Sequence, residues 1–536
     1  MKEVKRVFTV DGKPFFPIGG EANNSAGYDK NQSEAAFKAV KLLHGNNLLI
    51  PVYWDKVEPE EGKFDFTTVD SLLSSARRYG IKLILLWFAT WKNGNMDYTP
   101  AWVKTDPKRF KRVICPTGKD VWVLSSHCEA NLKADKKAFL AFCKYLKEKD
   151  SAERTVIGLQ VENEPGIIGS DRDYGPEAQA EFDRPVPAKL LSAMKAAGKG
   201  YIFDIWQKSG GKKSGAWPEI FGSEAGELMT AWSIANYIDG IVEAGKAIYN
   251  LPMFINVWMM EQNWWPMPGE AYPSGGAVTK TLDIYKWFTP HVDLIAPDIK
   301  PQDTDMYEAM CKTYSRDDNP LFMPETPPSP DMFRAIADYN LIGYMRMAGS
   351  VESFLAPDFS IRPESQTGVD TIRCVASAIP LILKYQGTSK IYTVLQEEFM
   401  EEQHLDFDGY TGLIEFASRR GGSFGARDWR HSTVDMFFKE PPTDPNRGRG
   451  LVFQVSRNEF YLVGVNYRLR LREKPSRDKK QAPLFVKFLG RAVSLEEGHF
   501  DKQGKFVVDR PRNGDQISSG VWVEADVGVI RLIACT

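Results

Sequence analysis

The chain has 536 residues, of which 43% are hydrophobic and 26% charged, values that are typical of a folded globular protein and exclude a wholly disordered one. Its 68 basic and 70 acidic side chains nearly cancel, so the chain has no bulk positive charge to attract the phosphates of nucleic acid. Aromatic residues make up 12% and include 14 Trp, whose flat apolar faces suit the C–H faces of sugars.

Short apolar runs alternate with amphipathic helical segments through about the first 390 residues. The predicted strands are Phe15–Gly20, Asn47–Trp54, Ile81–Trp91, Thr155–Glu164, Pro252–Met259, Val292–Pro297, Pro320–Pro324 and Glu352–Ala356. The predicted helices are Ser33–His44, Thr67–Tyr79, Lys133–Lys147, Glu224–Tyr249, Asp331–Ala348 and Val369–Tyr385. Ser33 is the expected N-cap of the first helix, and Gly80 is the residue expected to end the second.

This alternation indicates the fold class. Near-continuous apolar strands separated by helices are typical of a parallel sheet whose two faces are both covered. Eight of them fit a closed barrel better than an open sheet, so we predict an α/β fold, a (β/α)8 TIM barrel, over residues 1–390. The segment around residues 170–221 is polar and rich in Gly and Pro, and we expect it to be an insertion over the barrel mouth.

The pattern changes after residue 390, where polar, Gly-rich turns separate short runs with a period near two. These runs are Leu451–Val455, Glu459–Val465, Leu484–Phe488, Phe506–Val508 and Val521–Ile533. Such spacing without helical signals predicts a C-terminal β-sandwich over residues 391–536.

Two of the predicted strands in the barrel end in glutamate. The fourth run ends in Asn163-Glu164-Pro165, and the seventh leads into Glu325. Barrel enzymes place their chemistry at the carboxyl ends of the strands. Because strands four and seven lie across the barrel mouth from each other, we expect the side chains of Glu164 and Glu325 to face one another.

Two facing carboxyl groups are what glycoside hydrolysis needs. The protonated one gives its proton to the leaving oxygen, and the ionised one attacks the anomeric carbon. Configuration is retained when the two groups lie about 5–5.5 Å apart. Each carboxylate raises the proton affinity of the other, so one of them can stay protonated near neutral pH.

The pair formed by Asn163-Glu164-Pro165 and Glu325 resembles the retaining glycoside hydrolases of clan A. The opening segment, residues 16–21, and the strand-four segment Val161-Glu162-Asn163-Glu164 are similar to those of family 35 β-galactosidases. The barrel resemblance covers roughly residues 10–390. It implies that Glu164 is the acid/base, Glu325 the nucleophile and Asn163 a contact to the sugar 2-hydroxyl.

The chain departs from the family 35 pattern at several strand ends. Ala22-Asn23 stands in place of the usual His-Tyr, and Pro165 follows the Asn-Glu pair in place of Tyr. Strand six ends in Asp298-Ile299-Lys300, where clan A enzymes often have a Tyr that touches the nucleophile. These differences concern the identity of the sugar more than the class of reaction.

Other polar and aromatic residues near the strand ends are predicted to bind the substrate. They are Glu21 after strand one, Tyr53 at the end of strand two, Trp91 after strand three, and Trp258, Glu261 and Trp264 after strand five. The segment 258–265 is too aromatic for an ordinary exposed loop, because exposed Trp costs free energy unless it is covered. It is either a platform for sugars or a loop packed onto the barrel.

We expect no cofactor and no metal. The chain has no G-x-G-x-x-G, C-x-x-C or H-E-x-x-H motif, and no cluster of His and Asp stands at a strand end. Gly240–Lys246 matches most of a P-loop, but Ala247 replaces the Ser or Thr that binds magnesium, and the segment lies inside a predicted helix. Gly421–Gly425 matches G-x-S-x-G but lacks the strand and helix of a nucleophile elbow.

The leading hypothesis is a retaining exo-acting β-glycosidase with β-galactosides as first substrates. The alternatives are a β-glucoside-active hydrolase, a transglycosylase and a non-catalytic carbohydrate-binding protein. The expected partner is a small carbohydrate, with no nucleic acid and no membrane, and homo-oligomerisation is left open. The start of the chain has no apolar h-region, which favours the cytoplasm, or the periplasm or secretion if a leader has been removed.

Overall fold

The computed structural model describes residues 6–300, 303–347, 349–397, 400, 402–416, 447–474, 492–514, 517, 520–525 and 527–535. The predicted strand Leu484–Phe488 and the Gly421–Gly425 segment lie outside these residues. Within them, every helix is too short or too polar to span a bilayer.

Eight parallel strands form a barrel. Their bounds are β1 Ile18–Glu21, β2 Asn47–Tyr53, β3 Lys82–Lys92, β4 Val156–Asn163, β5 Met253–Val257, β6 Leu294–Pro297, β7 Met323–Thr326 and β8 Tyr344–Arg346. They are hydrogen-bonded in the order β6-β5-β4-β3-β2-β1-β8-β7, and β6 contacts β7, so the barrel is nearly closed. The predicted barrel is therefore confirmed, with Glu164 directly after its fourth strand and Glu325 in its seventh.

Helices cover the outside of the barrel and extend its loops. They are α1 Lys30–Leu42, α2 Trp54–Val57, α3 Thr67–Tyr79, α4 Ala101–Lys104, α5 Glu129–Asp150, α6 Pro176–Asp183, α7 Ala188–Ala197, α8 Tyr201–Lys208, α9 Trp217–Phe221, α10 Ala225–Ile248, α11 Leu282–Phe288, α12 Thr304–Tyr314, α13 Met332–Asp338 and α14 Gln366–Tyr385. Helices α6 to α9 lie in the segment predicted as an insertion, so that segment is largely helical.

The structure confirms the predicted end of one helix and corrects the predicted start of another. Helix α3 has the predicted bounds and ends at Gly80, whose φ of 64° is left-handed and suits glycine. Helix α1 begins earlier than predicted, and its N-cap is Asp29 instead of Ser33. The Asp29 carboxylate accepts hydrogen bonds from the amides of Asn31 and Gln32, which satisfies two donors that the first turn leaves free.

The predicted position of the eighth strand is wrong. The predicted helix over 331–348 ends at Asp338, and Tyr344–Arg346 then forms β8 beside β1. The predicted strand Glu352–Ala356 is instead a 3-10 turn, Val351–Phe354. Its buried Val351 and Phe354 are three residues apart, so one turn buries both, and this spacing was misread as part of an apolar strand.

The barrel interior below the mouth is apolar. It is filled by Leu49, Ile84, Leu86, Phe88, Ile157, Phe254, Leu294, Ala296, Phe322 and Met345. The N-terminal hairpin, Phe8–Val10 paired with Lys13–Phe15, packs against this cluster and leads into β1. The buried acidic residues of the barrel strands, Glu21, Glu162 and Glu325, lie at or near the carboxyl ends of their strands.

The C-terminal region is built of antiparallel strands. Their bounds are β9 Ile391–Leu395, β10 Glu402–Phe407, β11 Tyr410–Phe416, β12 Arg449–Ser456, β13 Glu459–Val465, β14 Tyr467–Glu473, β15 Ala492–Phe500, β16 Phe506–Arg512, β17 Val521–Val523 and β18 Val529–Ala534. They form a six-stranded sheet, β9-β12-β13-β18-β15-β16, and a four-stranded sheet, β10-β11-β14-β17. One apolar core joins the two sheets, as in a β-sandwich, and α14 packs on β13.

Candidate active site

Three acidic side chains meet at the barrel mouth. They are Glu164 after β4, Asp298 after β6 and Glu325 in β7, and each is at most 2% exposed. Each contributes a carboxylate oxygen to a group in which all three atoms lie within 4.8 Å of one another. The two glutamates predicted to face each other across the mouth are thus in close proximity.

The backbone at the end of β4 is unusual. Glu162 and Glu164 have φ values of 64° and 45°, in the left-handed region that glutamate rarely adopts. Such conformations cost about 1–3 kcal/mol each and persist where the surroundings hold them. The Glu162 carboxylate accepts a hydrogen bond from the backbone N–H of Trp91 at 2.7 Å, which holds the end of β4 against β3.

Asn256, near the end of β5, connects all three acidic residues. Its Oδ1 accepts a hydrogen bond from the Glu164 backbone N–H at 2.8 Å. Its Nδ2 donates to Asp298 Oδ2 at 2.8 Å and to Glu325 Oε1 at 3.3 Å. Asn256 is not among the residues predicted from the sequence, although an Asn inside the buried apolar run Met253–Val257 is a usable signal, since buried amides need partners.

The carboxylates of Glu325 and Glu164 receive further hydrogen bonds. Asn163 Nδ2 donates to Glu325 Oε1 at 3.2 Å, and Lys92 Nζ donates to Asn163 Oδ1 at 2.8 Å, which orients the amide. Asn93 Nδ2 donates to Glu164 Oε2 at 2.5 Å. Asn163 therefore contacts the predicted nucleophile directly, and Lys92 is a site residue that the sequence analysis missed.

The site has more acidic than basic groups. Glu21, at the end of β1, is fully buried, and within the described residues neither of its carboxylate oxygens has a hydrogen-bond partner. The basic groups near these carboxylates are Lys92 and Lys300, whose Nζ lies 3.8 Å from Glu325 Oε2. This excess of acidic groups favours binding of protons at the mouth.

The pKa values of the acidic groups shift accordingly. Burial and the charge of Glu325 raise the pKa of Glu164, against the opposing charges of Lys92 and Lys300. Burial and the charge of Glu325 also raise the pKa of Glu21 and of Asp298 well above their ordinary ranges. A raised pKa keeps a carboxyl protonated at a pH where an ordinary glutamate is ionised, as a general acid requires.

Two predicted substrate contacts are buried side chains outside this cluster. Tyr53 is 1% exposed, and its hydroxyl donates to the Asn24 carbonyl at 2.7 Å and accepts from the Gly27 amide at 3.0 Å. Trp91 is fully buried and packs edge-on against Tyr237 of α10. Substrate contact by Tyr53 and Trp91 stays a prediction, and the contacts described give both side chains a packing role.

The predicted residues after β5 lie in a loop that is connected to the site. Trp258 packs half-buried against the barrel core, and a hydrogen bond from the Thr279 hydroxyl holds the half-buried carboxylate of Glu261. Gln262 Nε2 donates to the Asp298 carbonyl at 3.0 Å, and its Oε1 accepts from the Lys300 amide. Two residues further on, Trp264 is 97% exposed.

The spacing of Glu164, Asp298 and Glu325 is one that could also surround a cation. An acidic cluster does not by itself define a metal site, and Lys300 already places positive charge beside Glu325. The expectation that the protein needs no metal stays a prediction.

Residues 28–222 match the model of a protein family described as Beta-galactosidase, glycoside hydrolase family 42. The match runs from the residues before α1 through α9, so the matched segment contains Glu164 but stops before Glu325. Family 42 belongs to clan A, as the sequence motifs implied, whereas the resemblance to family 35 is not supported. Residues 372–524 match a domain of unknown function (DUF5597).

Solved structures similar to this chain include β-galactosidases. That of Bacillus circulans sp. alkalophilus is 15% identical over 62% of this chain and 50% of its own, with a TM-score of 0.42. That of the haloarchaeon Halorubrum lacusprofundi is 15% identical, and the match covers 68% of this chain and 58% of that protein, with a TM-score of 0.47. The catalytic domain of the Paenibacillus polymyxa β-amylase is 12% identical to this chain. The match covers 66% of this chain and 96% of that domain, with a TM-score of 0.46. This chain therefore spans about half of the first of these β-galactosidases. No curated protein matches the sequence.

Proposed function

We propose that the protein is a retaining exo-acting β-glycosidase that cleaves terminal β-galactosides. The observation that carries this proposal is the pair of buried carboxylates, Glu164 and Glu325, whose nearest oxygens lie within 4.8 Å at the mouth of the barrel. Carboxyl groups about 5–5.5 Å apart are typical of retaining enzymes, and about 6.5–9.5 Å is typical of inverting ones. The family 42 match over residues 28–222 supports the same class of reaction.

In the first step Glu325 is the nucleophile. An oxygen of its carboxylate attacks the anomeric carbon, and Glu164 gives its proton to the glycosidic oxygen as the bond to the leaving group breaks. The hydrogen bonds from Asn163 and Asn256 to Glu325 Oε1 hold the attacking carboxylate in one orientation. The products of this step are a glycosyl ester on Glu325 and a free leaving group.

In the second step Glu164 acts as a base. It takes a proton from water, the water oxygen attacks the anomeric carbon from the face that the leaving group vacated, and Glu325 is released as a carboxylate. Because the ester on Glu325 is neutral, it no longer raises the pKa of Glu164 as the ionised carboxylate does. The change in charge on Glu325 therefore favours the acid form of Glu164 before the first step and the base form before the second.

A panel of 4-nitrophenyl glycosides tests this function. We expect turnover of the β-galactoside, weaker turnover of the β-glucoside and none of the α-galactoside. The first sugar released should be the β-anomer, which proton NMR resolves before mutarotation. A first product in the α-configuration, or no turnover of any β-glycoside, would contradict the proposal.

We further propose that Trp264 binds the saccharide on the leaving-group side. The side chains of Trp264 and Trp265 are 97% and 67% exposed. They lie in a loop that is held beside the carboxyl end of β6 by the hydrogen bond from Gln262 to the Asp298 carbonyl. Exposed indole rings adjoining such a site suit stacking on a sugar ring. The same rings would favour an acceptor sugar over water, so this loop also supports transglycosylation as a second activity.

The double variant Trp264→Ala/Trp265→Ala tests the role of this loop. We expect kcat/KM to fall roughly tenfold for a β-galactosyl oligosaccharide, since stacking contributes about 1 kcal/mol or more, and to change little for 4-nitrophenyl β-galactoside. The matched control is Phe359→Ala, which removes a 42% exposed ring beside Lys38 of α1. Equal losses on the two substrates, or equal losses in the control, would rule out a leaving-group site at these two residues.

A further inference from the structure

The two carboxylate oxygens of Glu325 have different surroundings. Oε1 accepts two hydrogen bonds, from Asn163 Nδ2 at 3.2 Å and from Asn256 Nδ2 at 3.3 Å. Oε2 lies 3.8 Å from Lys300 Nζ and, within the part of the chain that the structure describes, receives no hydrogen bond. A carboxylate oxygen has two lone pairs, so both of those on Oε1 are used, whereas those on Oε2 are available to attack a substrate.

Asn163 donates to Glu325 only if its amide is oriented one way. The oxygen and nitrogen of an amide have nearly the same shape, so the side chain fits its site in either orientation. Lys92 Nζ lies 2.8 Å from Asn163 Oδ1, and an ammonium group has donors but no acceptor. The amide oxygen must therefore face Lys92, which directs the Nδ2 group to Glu325.

Lys92 is itself held in place. It ends β3, it is 6% exposed, and its Nζ lies 4.9 Å from the centre of the Phe88 ring. A buried ammonium group needs acceptors, and Asn163 Oδ1 is the acceptor that the described residues provide for its Nζ. Removal of the Lys92 amine would therefore remove the group that decides the orientation of the Asn163 amide.

The orientation of Asn256 is fixed independently. The backbone N–H of Glu164 is also only a donor, and it bonds to Asn256 Oδ1 at 2.8 Å, so the Nδ2 group of this amide faces Glu325. A substitution of Lys92 leaves that backbone group in place. Of the two amides that donate to Oε1, only Asn163 depends on Lys92.

We propose that Lys92 is a positioning residue, which orients Asn163 so that Oε1 of Glu325 is held and Oε2 attacks the anomeric carbon. This inference rests on the proposed function. In the first step the bond from Oε2 to the anomeric carbon forms as the glycosidic bond breaks and Glu164 protonates the leaving oxygen. Oε1 becomes the carbonyl oxygen of the ester and still accepts from both amides. In the second step the water oxygen bonds to the anomeric carbon, a water proton passes to Glu164, and the electron pair of the ester bond returns to Oε2.

The first test is Lys92→Met, which keeps an unbranched side chain but donates no hydrogen bond. The Asn163 amide can then turn its oxygen towards Oε1, which replaces an attraction by a repulsion. Because the nucleophile acts on every substrate, we expect kcat/KM to fall roughly 10- to 100-fold, equally for a β-galactosyl disaccharide and for 2,4-dinitrophenyl β-galactoside. Lys92→Arg keeps a group that has only donors and should lose less. Wild-type kinetics in Lys92→Met, or a loss confined to the disaccharide, would overturn the proposal.

A double-mutant cycle shows whether Lys92 acts through the amide. In the Asn163→Ala variant, which has no amide to orient, Lys92→Met should change kcat/KM by less than about twofold. A further loss as large as the one that Lys92→Met causes alone would overturn the proposal, because Lys92 would then act independently of Asn163.

The matched control is Lys286→Met. Lys286 of α11 also donates to an asparagine, with its Nζ 3.3 Å from Asn319 Oδ1. Asn319 bonds to Ile295 near the start of β6, away from the barrel mouth. We expect this variant to lower the thermal unfolding midpoint and to keep the wild-type kcat/KM. An equal fall in kcat/KM in the control would overturn the proposal and assign the effect of Lys92→Met to general disturbance of the barrel.

A crystal structure of the trapped glycosyl-enzyme distinguishes the two oxygens directly. With 2,4-dinitrophenyl 2-deoxy-2-fluoro-β-galactoside we expect the ester bond on Oε2, with both amide nitrogens still within hydrogen-bonding distance of Oε1. An ester on the oxygen that the amides bind would overturn the proposal even if Lys92→Met failed to fold, while retention and the label on Glu325 would leave the proposed function intact. No hydrolysis of any β-glycoside by the wild type would instead remove the proposed function, and this inference with it.

Discussion

The variant Glu325→Gln is expected to lose β-glycosidase activity by roughly 10⁴-fold or more, because an amide cannot form the glycosyl ester on which both steps depend. The fold should survive, since Gln keeps an oxygen that accepts from Asn163 and Asn256 and removes one negative charge from a site with excess acidic groups. We therefore expect a thermal unfolding midpoint equal to or above that of the wild type. Steady-state kinetics on 4-nitrophenyl β-galactoside measures the loss.

Azide distinguishes loss of the nucleophile from general damage to the site. Glu325→Gly leaves a space beside the anomeric carbon, and azide in that space should attack it directly and restore turnover of an activated aryl galactoside. A single displacement inverts the configuration, so the product should be the α-galactosyl azide. Near-normal activity of Glu325→Gln, or rescue that yields the β-azide, would remove Glu325 from the nucleophile's role.

The variant Glu164→Ala is expected to show a loss that depends on the leaving group. A positioned general acid contributes about 10²–10⁴-fold when the leaving oxygen needs a proton. We expect a decrease in this range in kcat/KM for a β-galactosyl disaccharide. The decrease should be far smaller for 2,4-dinitrophenyl β-galactoside, whose phenolate leaves without a proton.

The pH profile provides an internal control for this variant. In the wild type the raised pKa of Glu164 places the alkaline limb above the range of an ordinary glutamate, and activity falls as pH rises through it. Without the Glu164 carboxyl that limb should disappear from the profile with the activated substrate. An equal decrease on both substrates would show that Glu164 acts on something other than proton transfer.

The sequence was most informative where elements are long and regular. The parallel strands of the barrel are nearly continuous apolar runs, so their count assigned Glu164 to the end of the fourth strand and Glu325 to the end of the seventh. The structure agrees to within a residue or two, with Glu164 directly after β4 and Glu325 inside β7. The eighth strand has only three residues, too few to show a periodic pattern, and it lies inside the segment predicted as a helix.

Side-chain alternation explains why Lys92 was not predicted as a site residue. Successive side chains of a strand point to opposite faces of the sheet. Of two neighbouring residues at the end of a barrel strand, one therefore faces the site and the other faces the helices outside the barrel. The side chain of Trp91, whose contact with the substrate stays a prediction, packs against Tyr237, and its neighbour Lys92 reaches Asn163. An Asn in a buried apolar strand signals that Asn256 needs partners, but the sequence does not say which. Its hydrogen bonds go to residues at three other strand ends, far away along the chain.

Trapping of the glycosyl-enzyme tests the central claim most directly. A 2-deoxy-2-fluoro-β-galactoside with a dinitrophenyl leaving group should form the ester and hydrolyse it slowly, because fluorine at C2 destabilises the positive charge of both transition states. Mass spectrometry of the intact protein should then show one added fluorogalactosyl group, and peptide mapping should place it on Glu325. A label on another residue, or rapid turnover with an inverted product and no label, would contradict the double-displacement account.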